Sequence, residues 1–297
     1  MRLWLLLLAL VPALVVAKPD LSRKVGPTIA DTGSSYYRFE RYLLGSADGQ
    51  RIYRIVLGIP KRPAPAAGYP ALYLLDGNAA LASLREPWLQ QLDAGQPPLL
   101  VMIGYDTELR FDVVSRAYDY TPTAQPGGEI RDEQGRAAGG SQAFRQLIEQ
   151  RIKPLVERRF PVDRTRQGLW GHSYGGLFVL DSLFAAPASF QHYYPASPSL
   201  WWQNGLLLEL EKQLPADAQA QVVIMRGGAE GRRHRGRGGK ASQARASVPA
   251  NALPQMIERL DQLPGLQVRY QEIPDLEHGP MLPASLEQAL RLFGQQP

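Results

Sequence analysis

The stretch GLWGHSYGGLFVLDSLF, residues 168–184, decides the fold. Gln167–Gly171 reads as a short interior strand and Tyr174–Phe184 as a helix. Between them Gly171-His172-Ser173-Tyr174-Gly175 spells G-x-S-x-G, with Gly176 following. A strand that runs into a helix through this pattern is a nucleophile elbow. The sharp turn lifts the serine hydroxyl above the strand's carboxyl end, and the helix start places a positive dipole beside developing negative charge. Glycine is expected at 171 and 175 because a Cβ there would crowd the neighbouring strand or helix. Alone, the pattern also fits an inert Gly/Ser turn; the strand and helix on either side select the chemical reading.

Working outward, the same alternation continues. Tyr36–Leu44 and Arg51–Ile59 alternate apolar and polar residues around a Gly/Asp turn and read as a hairpin. Ala71–Leu75 and Leu99–Gly104 are short continuous apolar runs, as buried strands are. Phe190–Ala196, Gln221–Met225 and Gln267–Ile273 read as further strands. Helices are expected over Ala79–Leu92, from a Ser141 cap to about Phe160 with a break or kink at Pro154, and over Ser285–Phe293. Residues 105–140 read as a long loop. Strands alternating with helices give an α/β protein with a mostly parallel central sheet flanked by helices, its opening hairpin at one edge. The expected organisation is a leader over 1–17, an N-terminal arm over 18–35 and a single domain over 36–297.

A serine nucleophile needs a base. The chain has four histidines. His172 lies inside the elbow and is expected to pack, His192 falls in a strand, and His234 lies among arginines. His278, in Asp275-Leu276-Glu277-His278-Gly279, follows the last strand and precedes the closing helix, where the order nucleophile, acid, base puts it. It would take the Ser173 proton during attack, help worth ~10²–10⁴-fold. For the acid, Glu230 follows the strand Gln221–Met225; Asp275 and Glu277 compete by nearness, and a dyad without an acid stays open. The acid would fix the histidine tautomer. The oxyanion hole is expected from the Tyr174 N–H and from Gly77 or Asn78 in the loop after Ala71–Leu75.

Composition narrows the chemistry. The 297 residues include no cysteine, which removes disulfides, a thiol nucleophile, zinc–thiolate sites and iron–sulfur clusters. The leader MRLWLLLLALVPALVVA has one early arginine, an apolar run and a small-residue end before Lys18-Pro19-Asp20. It reads as a signal peptide and is short for a span, which needs ~20 apolar residues. A net charge of +5 is mild, but its location is not even. Residues 226–245 hold seven Lys and Arg against Glu230 alone, and the rest of the chain after the leader is slightly acidic. That glycine-rich segment reads as a mobile cationic rim over the site, or as plain solvated loop.

YPALYLLDGN (69–78), FDVVSRAYDYTP (111–122), the elbow stretch, YYPASPSLWW (193–202) and EHG (277–279) stand in that order. Together they resemble the esterase-D-like "putative esterase" family of α/β-hydrolases over about residues 36–295. Within it the chain is most similar to the periplasmic catecholate-siderophore trilactone esterases that act on enterobactin and salmochelin. The resemblance implies Ser173 as nucleophile, His278 as base, the DGN loop and the Tyr174 amide as oxyanion hole, and no cofactor or protein-bound metal.

The implied function is a periplasmic serine esterase that opens the trilactone ring of a ferric catecholate siderophore and so assists iron release. A ferric tris-catecholate is a trianion. Arg232 and Arg233 of the basic segment would hold it, Arg116 would pair with or stack on a catecholate, and Trp201 and Trp202 would wall the cleft. Arg116 could equally serve a salt bridge with Asp119 or Asp112. Rival readings are an exported carboxylesterase or acyltransferase for other esters, and a non-catalytic siderophore-binding protein. Neither nucleic acid nor a membrane span after cleavage is expected as a partner.

Overall fold

In the computed structural model, residues 21–125, 127–230 and 246–295 are described. The leader, His234, Arg232, Arg233 and most of the basic segment lie outside them. The hairpin β1 (Tyr37–Gly45) and β2 (Ile52–Pro60) opens the sheet, followed by β3 (Tyr69–Leu74) and β4 (Leu99–Tyr105). A small hairpin, β5 (Ile130–Arg131) with β6 (Ala137–Ala138), stands apart. The sheet resumes with β7 (Val162–His172), β8 (His192–Ala196), β9 (Ala220–Gly227) and β10 (Leu266–Ile273). Among the described residues the order is β1-β2-β4-β3-β7-β8-β9-β10. The pairs β1–β2 and β2–β4 are antiparallel; every later neighbour is parallel. The chain is an α/β-hydrolase fold with a mostly parallel sheet.

Period-2 burial explains the layers. Ala71, Tyr73, Val101, Ile103, Leu169, Val222 and Ile224 face one core with α5 (Ser141–Leu147), α7 (Tyr174–Ala185), α8 (Leu206–Leu210) and α9 (Ala252–Asp261). Leu72, Leu74, Leu100, Met102, Trp170 and Met225 face the other, with α2 (Gly77–Ser83), α3 (Glu86–Asp93) and α10 (Met281–Gly294). Helix α7 is buried from Tyr174 to Phe184, so it is enclosed on every side rather than amphipathic, with its one carboxylate, Asp181, paired with Arg145.

Several elements differ from the sequence expectation for steric reasons. The helix expected over 79–92 is split into α2 and α3, because Pro87 has no N–H to bond the Ser83 carbonyl and its ring would strike it. The helix expected over 141–160 has Gly140, not Ser141, at its cap position; Ser141 is already helical and makes no cap bond. It then widens into a π-turn over Ile148–Ile152 before α6 (Lys153–Glu157), which accommodates Pro154. The 105–140 segment contains α4 (Val113–Asp119), capped by Asp112 accepting from the Val114 and Ser115 amides. The described part of the arm forms α1 (Ile29–Thr32) with a Thr28/Asp31 capping box, and its Val25 N–H donates to Glu108 O. Within the described residues no helix is long and apolar enough to cross a membrane.

Candidate active site

Parallel strands aim their carboxyl ends at one edge, and the chain leaves that edge five times at chemically useful residues. Asp76-Gly77 follows β3, Ser173 follows β7, Ser197 follows β8, Glu230 follows β9 and His278 follows β10. Ser173 sits at φ 62, ψ −115, a strained conformation for a residue with a Cβ. Its amide donates to Ala196 O at 2.9 Å, which pins the elbow to β8. At Gly171 a Cβ would lie 2.5 Å from Gly175 O, and at Gly176 2.5 Å from Ala196 O. Gly175 differs from expectation: a Cβ there would meet Leu75 at an ordinary 3.6 Å, so the steric demand falls on 171 and 176.

Ser173 Oγ lies 2.9 Å from His278 Nε2, and His278 Nδ1 lies 3.3 Å from Glu230 Oε2. With the proton on Nδ1, His278 donates to Glu230 and accepts from Ser173. Burial works to raise the Glu230 carboxyl, but hydrogen bonds from His278 and Ser197, the charge of His278 and the Gly227 amide outweigh it and hold the pKa below the usual glutamate value. Of the three acids read from the sequence, Glu230 is the one the structure brings to His278 Nδ1.

The other two described histidines are placed as packing residues. His172 is buried, its ring 4.6 Å from that of His278. Burial first, then the charges of His278 and Arg116, push its pKa well below 6.5, so it stays neutral beside the base. His192 is buried in β8, edge-on to Phe293.

As the first residues of α7 and α2, Tyr174 and Gly77 carry amides with no acceptor inside their helices. A Cβ on Gly77 would lie 2.6 Å from the Ile103 carbonyl carbon, so only glycine lets this loop sit so close to β4. The Asn78 side chain is committed elsewhere: Nδ2 donates toward the carbonyls of Tyr105, Thr107 and Leu109 at 3.0–3.2 Å.

Arg116 forms a two-pronged ion pair with Asp76, Nε to Oδ1 and Nη2 to Oδ2, both 2.8 Å. The partner is neither Asp119, which pairs with Arg51, nor Asp112, which caps α4. The guanidinium also lies over Tyr174, Tyr120 and Phe111 at 5.4–5.6 Å. Of the two tryptophans, Trp202 is only 1% exposed and its indole N–H donates to Pro122 O, so it belongs to the core and not to the cleft wall. Trp201 is half-buried, 5.8 Å from the Tyr174 ring.

Sequence reasoning passed over Asp76, Ser197 and Ser199. Ser197 Oγ donates to Glu230 Oε1, and Ser199 Oγ lies 3.4 Å from Ser173 Oγ. The available signal was position: all three stand within three residues of a strand's carboxyl end.

Residues 46–254 match the family described as "Putative esterase". An apo-salmochelin esterase of Escherichia coli O6:H1 is 42% identical over 288 residues, covering 94% of this chain and 86% of that protein. The solved structure of the enterobactin and salmochelin hydrolase IroE superposes with a TM-score of 0.75 at 40% identity, over 91% of this chain and all of that one. The structure of IroE in complex with DFP gives 0.72 at 39% identity, with the same coverage.

Proposed function

This chain belongs to the putative esterase family, and from that premise we propose that it is a serine esterase that opens the trilactone backbone of a catecholate siderophore of the enterobactin or salmochelin type. The carrying observation is the 2.9 Å contact of Ser173 Oγ with His278 Nε2 at a strained elbow. The names of the relatives supply the substrate class, and the related hydrolase's complex with DFP supports a serine nucleophile.

In this reading Ser173 Oγ attacks a lactone carbonyl carbon while His278 Nε2 takes its proton. Glu230 holds the tautomer and stabilises the imidazolium. The oxyanion is received by the Tyr174 and Gly77 amides, each donor worth ~10²–10³-fold. The tetrahedral intermediate collapses, His278 protonates the departing ring alcohol, and water activated by the same histidine frees the acyl-enzyme. Opening the ring lowers the effective concentration of three catechols around iron, which favours metal release. Trp201 walls the cleft. The Arg116–Asp76 pair is net neutral, so attraction for a trianion falls to Arg232 and Arg233, which follow Glu230 after Gly231 in the sequence. The leader over residues 1–17 supports export to the periplasm.

The test is substrate preference. Purified protein is given iron-free and ferric trilactones, a feruloyl ester and an acetylated sugar, and the products are separated by chromatography. Trilactone cleavage should dominate in kcat/KM; turnover confined to the neutral esters would move the function to another branch of the family.

A further inference from the structure

We propose that Ser197 is a positioning residue whose hydroxyl locks Glu230 in the orientation that serves His278; this rests on Glu230 being the acid, as read above. The chain leaves β8 at Ala196 and turns at once through Ser197, which is 4% exposed and has φ 43. The turn is fixed at its start by the Ser197 amide, which donates to Met225 O at 2.7 Å. From there Ser197 Oγ donates to Glu230 Oε1, and the Gly227 amide donates to the same oxygen at 3.2 Å. Two donors occupy Oε1. The plane of the carboxylate is thereby set, and Oε2 is the oxygen left to face His278 Nδ1 at 3.3 Å.

Backbone strain points the same way. Among the described residues, those other than glycine with positive φ are Asp76, Ser173, Ser197, Gln203, Asn204 and Asp275. Asp76, Ser173, Ser197 and Asp275 lie within two residues of the carboxyl end of a parallel strand, whereas Gln203 and Asn204 belong to a short turn further along. Glycine would adopt the Ser197 conformation without penalty. The serine accepts strain, and the product of that strain is one hydrogen bond to the acid. The same turn reaches the nucleophile: the Ser199 amide donates to Ser173 O at 3.3 Å, so one short loop grips both ends of the Ser–His–Glu array.

Without the Ser197 hydroxyl, Oε1 keeps a lone pair unmet in a side chain only 13% exposed, and that oxygen is held by the longer Gly227 amide bond alone. His278 then loses part of its support as imidazolium. The test uses Ser197→Gly, which removes the hydroxyl and relieves the strain together, so loss of activity is separated from loss of fold. On a small neutral ester, kcat should fall about tenfold with KM within about twofold, the pattern of a lost transition-state interaction. The acid limb of the kcat/KM profile should move to lower pH. The melting temperature should stay within a few degrees of wild type.

Glu230→Gln and the double variant complete the cycle. If Ser197 acts through Glu230, Ser197→Gly adds no further loss in the Glu230→Gln background. Wild-type kcat and pH profile for Ser197→Gly, with Glu230→Gln slow, would overturn the role of Ser197 and leave the acid in place. A full additional tenfold loss in the double variant would place its action elsewhere and overturn it too. Wild-type activity for Glu230→Gln would overturn the acid itself, and the proposal with it.

Discussion

Arg116→Met separates two roles that the sequence left equal. Arg116 and Asp76 are 14% and 3% exposed at their side chains and are joined by two bonds of 2.8 Å. Removing the guanidinium leaves a buried carboxylate without its partner, and breaking a buried pair in this way costs about 3–5 kcal/mol. For a chain of this size that is a fall of roughly 5–8 °C in melting temperature. Asp76 immediately precedes Gly77, and its amide is held by the Tyr120 hydroxyl at 2.9 Å. A loop released there misplaces an oxyanion donor, and a shift of about 1 Å is worth up to 10²-fold in rate. The assay is a thermal melt together with kcat/KM on a neutral ester and on the trilactone. Both substrates should lose the same factor, and Asp76→Asn in the Arg116→Met background should restore part of the melting temperature by removing the stranded charge. A variant that melts as wild type and loses activity only on the trilactone would refute this reasoning and return Arg116 to the role of a substrate contact.

Gly176→Ala should cost about 1–3 kcal/mol and slow turnover more than it weakens binding, because its Cβ would lie 2.5 Å from Ala196 O and force the elbow away from β8; an unchanged kcat would contradict the steric account. Stability should fall as pH drops from about 6.5 toward 4, because burial first, and then the charge of Arg166, lowers His192 to about 4 while the unfolded chain takes up its proton near 6.5. Melting curves of His192→Phe should show a shallower fall over that window, and an identical slope would remove His192 as a cause. Replacing Arg232 and Arg233 by Gln should lower kcat/KM for the ferric trilactone but not for a neutral ester, and the wild-type advantage should shrink as salt rises; equal effects on both substrates would remove the steering role.

The parts of the fold legible in the sequence were those set by local pattern. The apolar runs at 71–75 and 99–104 became β3 and β4 because a strand buried on both faces has no polar alternation to hide. The elbow was legible because strand, G-x-S-x-G and helix are contiguous. Non-local features were not. The π-turn at 148–152 depends on how the chain absorbs Pro154, and the burial of Trp202 depends on Pro122, eighty residues away. Asp76 and Arg116 lie forty residues apart, with two closer acids as decoys. Helix α9 was not legible although Ala252, Leu253, Met256 and Leu260 carry a helical spacing, because Pro254 reads as a breaker and is tolerated only by falling in the first turn. Ser197 was inconspicuous for a different reason: only the left-handed backbone turns its hydroxyl onto Glu230, and no residue pattern encodes that sign of φ.

Opening of a siderophore trilactone by Ser173 is tested most directly by chromatography of iron-free and ferric enterobactin-type trilactones after incubation with wild type and with Ser173→Ala. Linear trimer and shorter fragments are expected from the wild type, and intact ring from Ser173→Ala. Intact ring with wild type, or equal turnover by the variant, would contradict it.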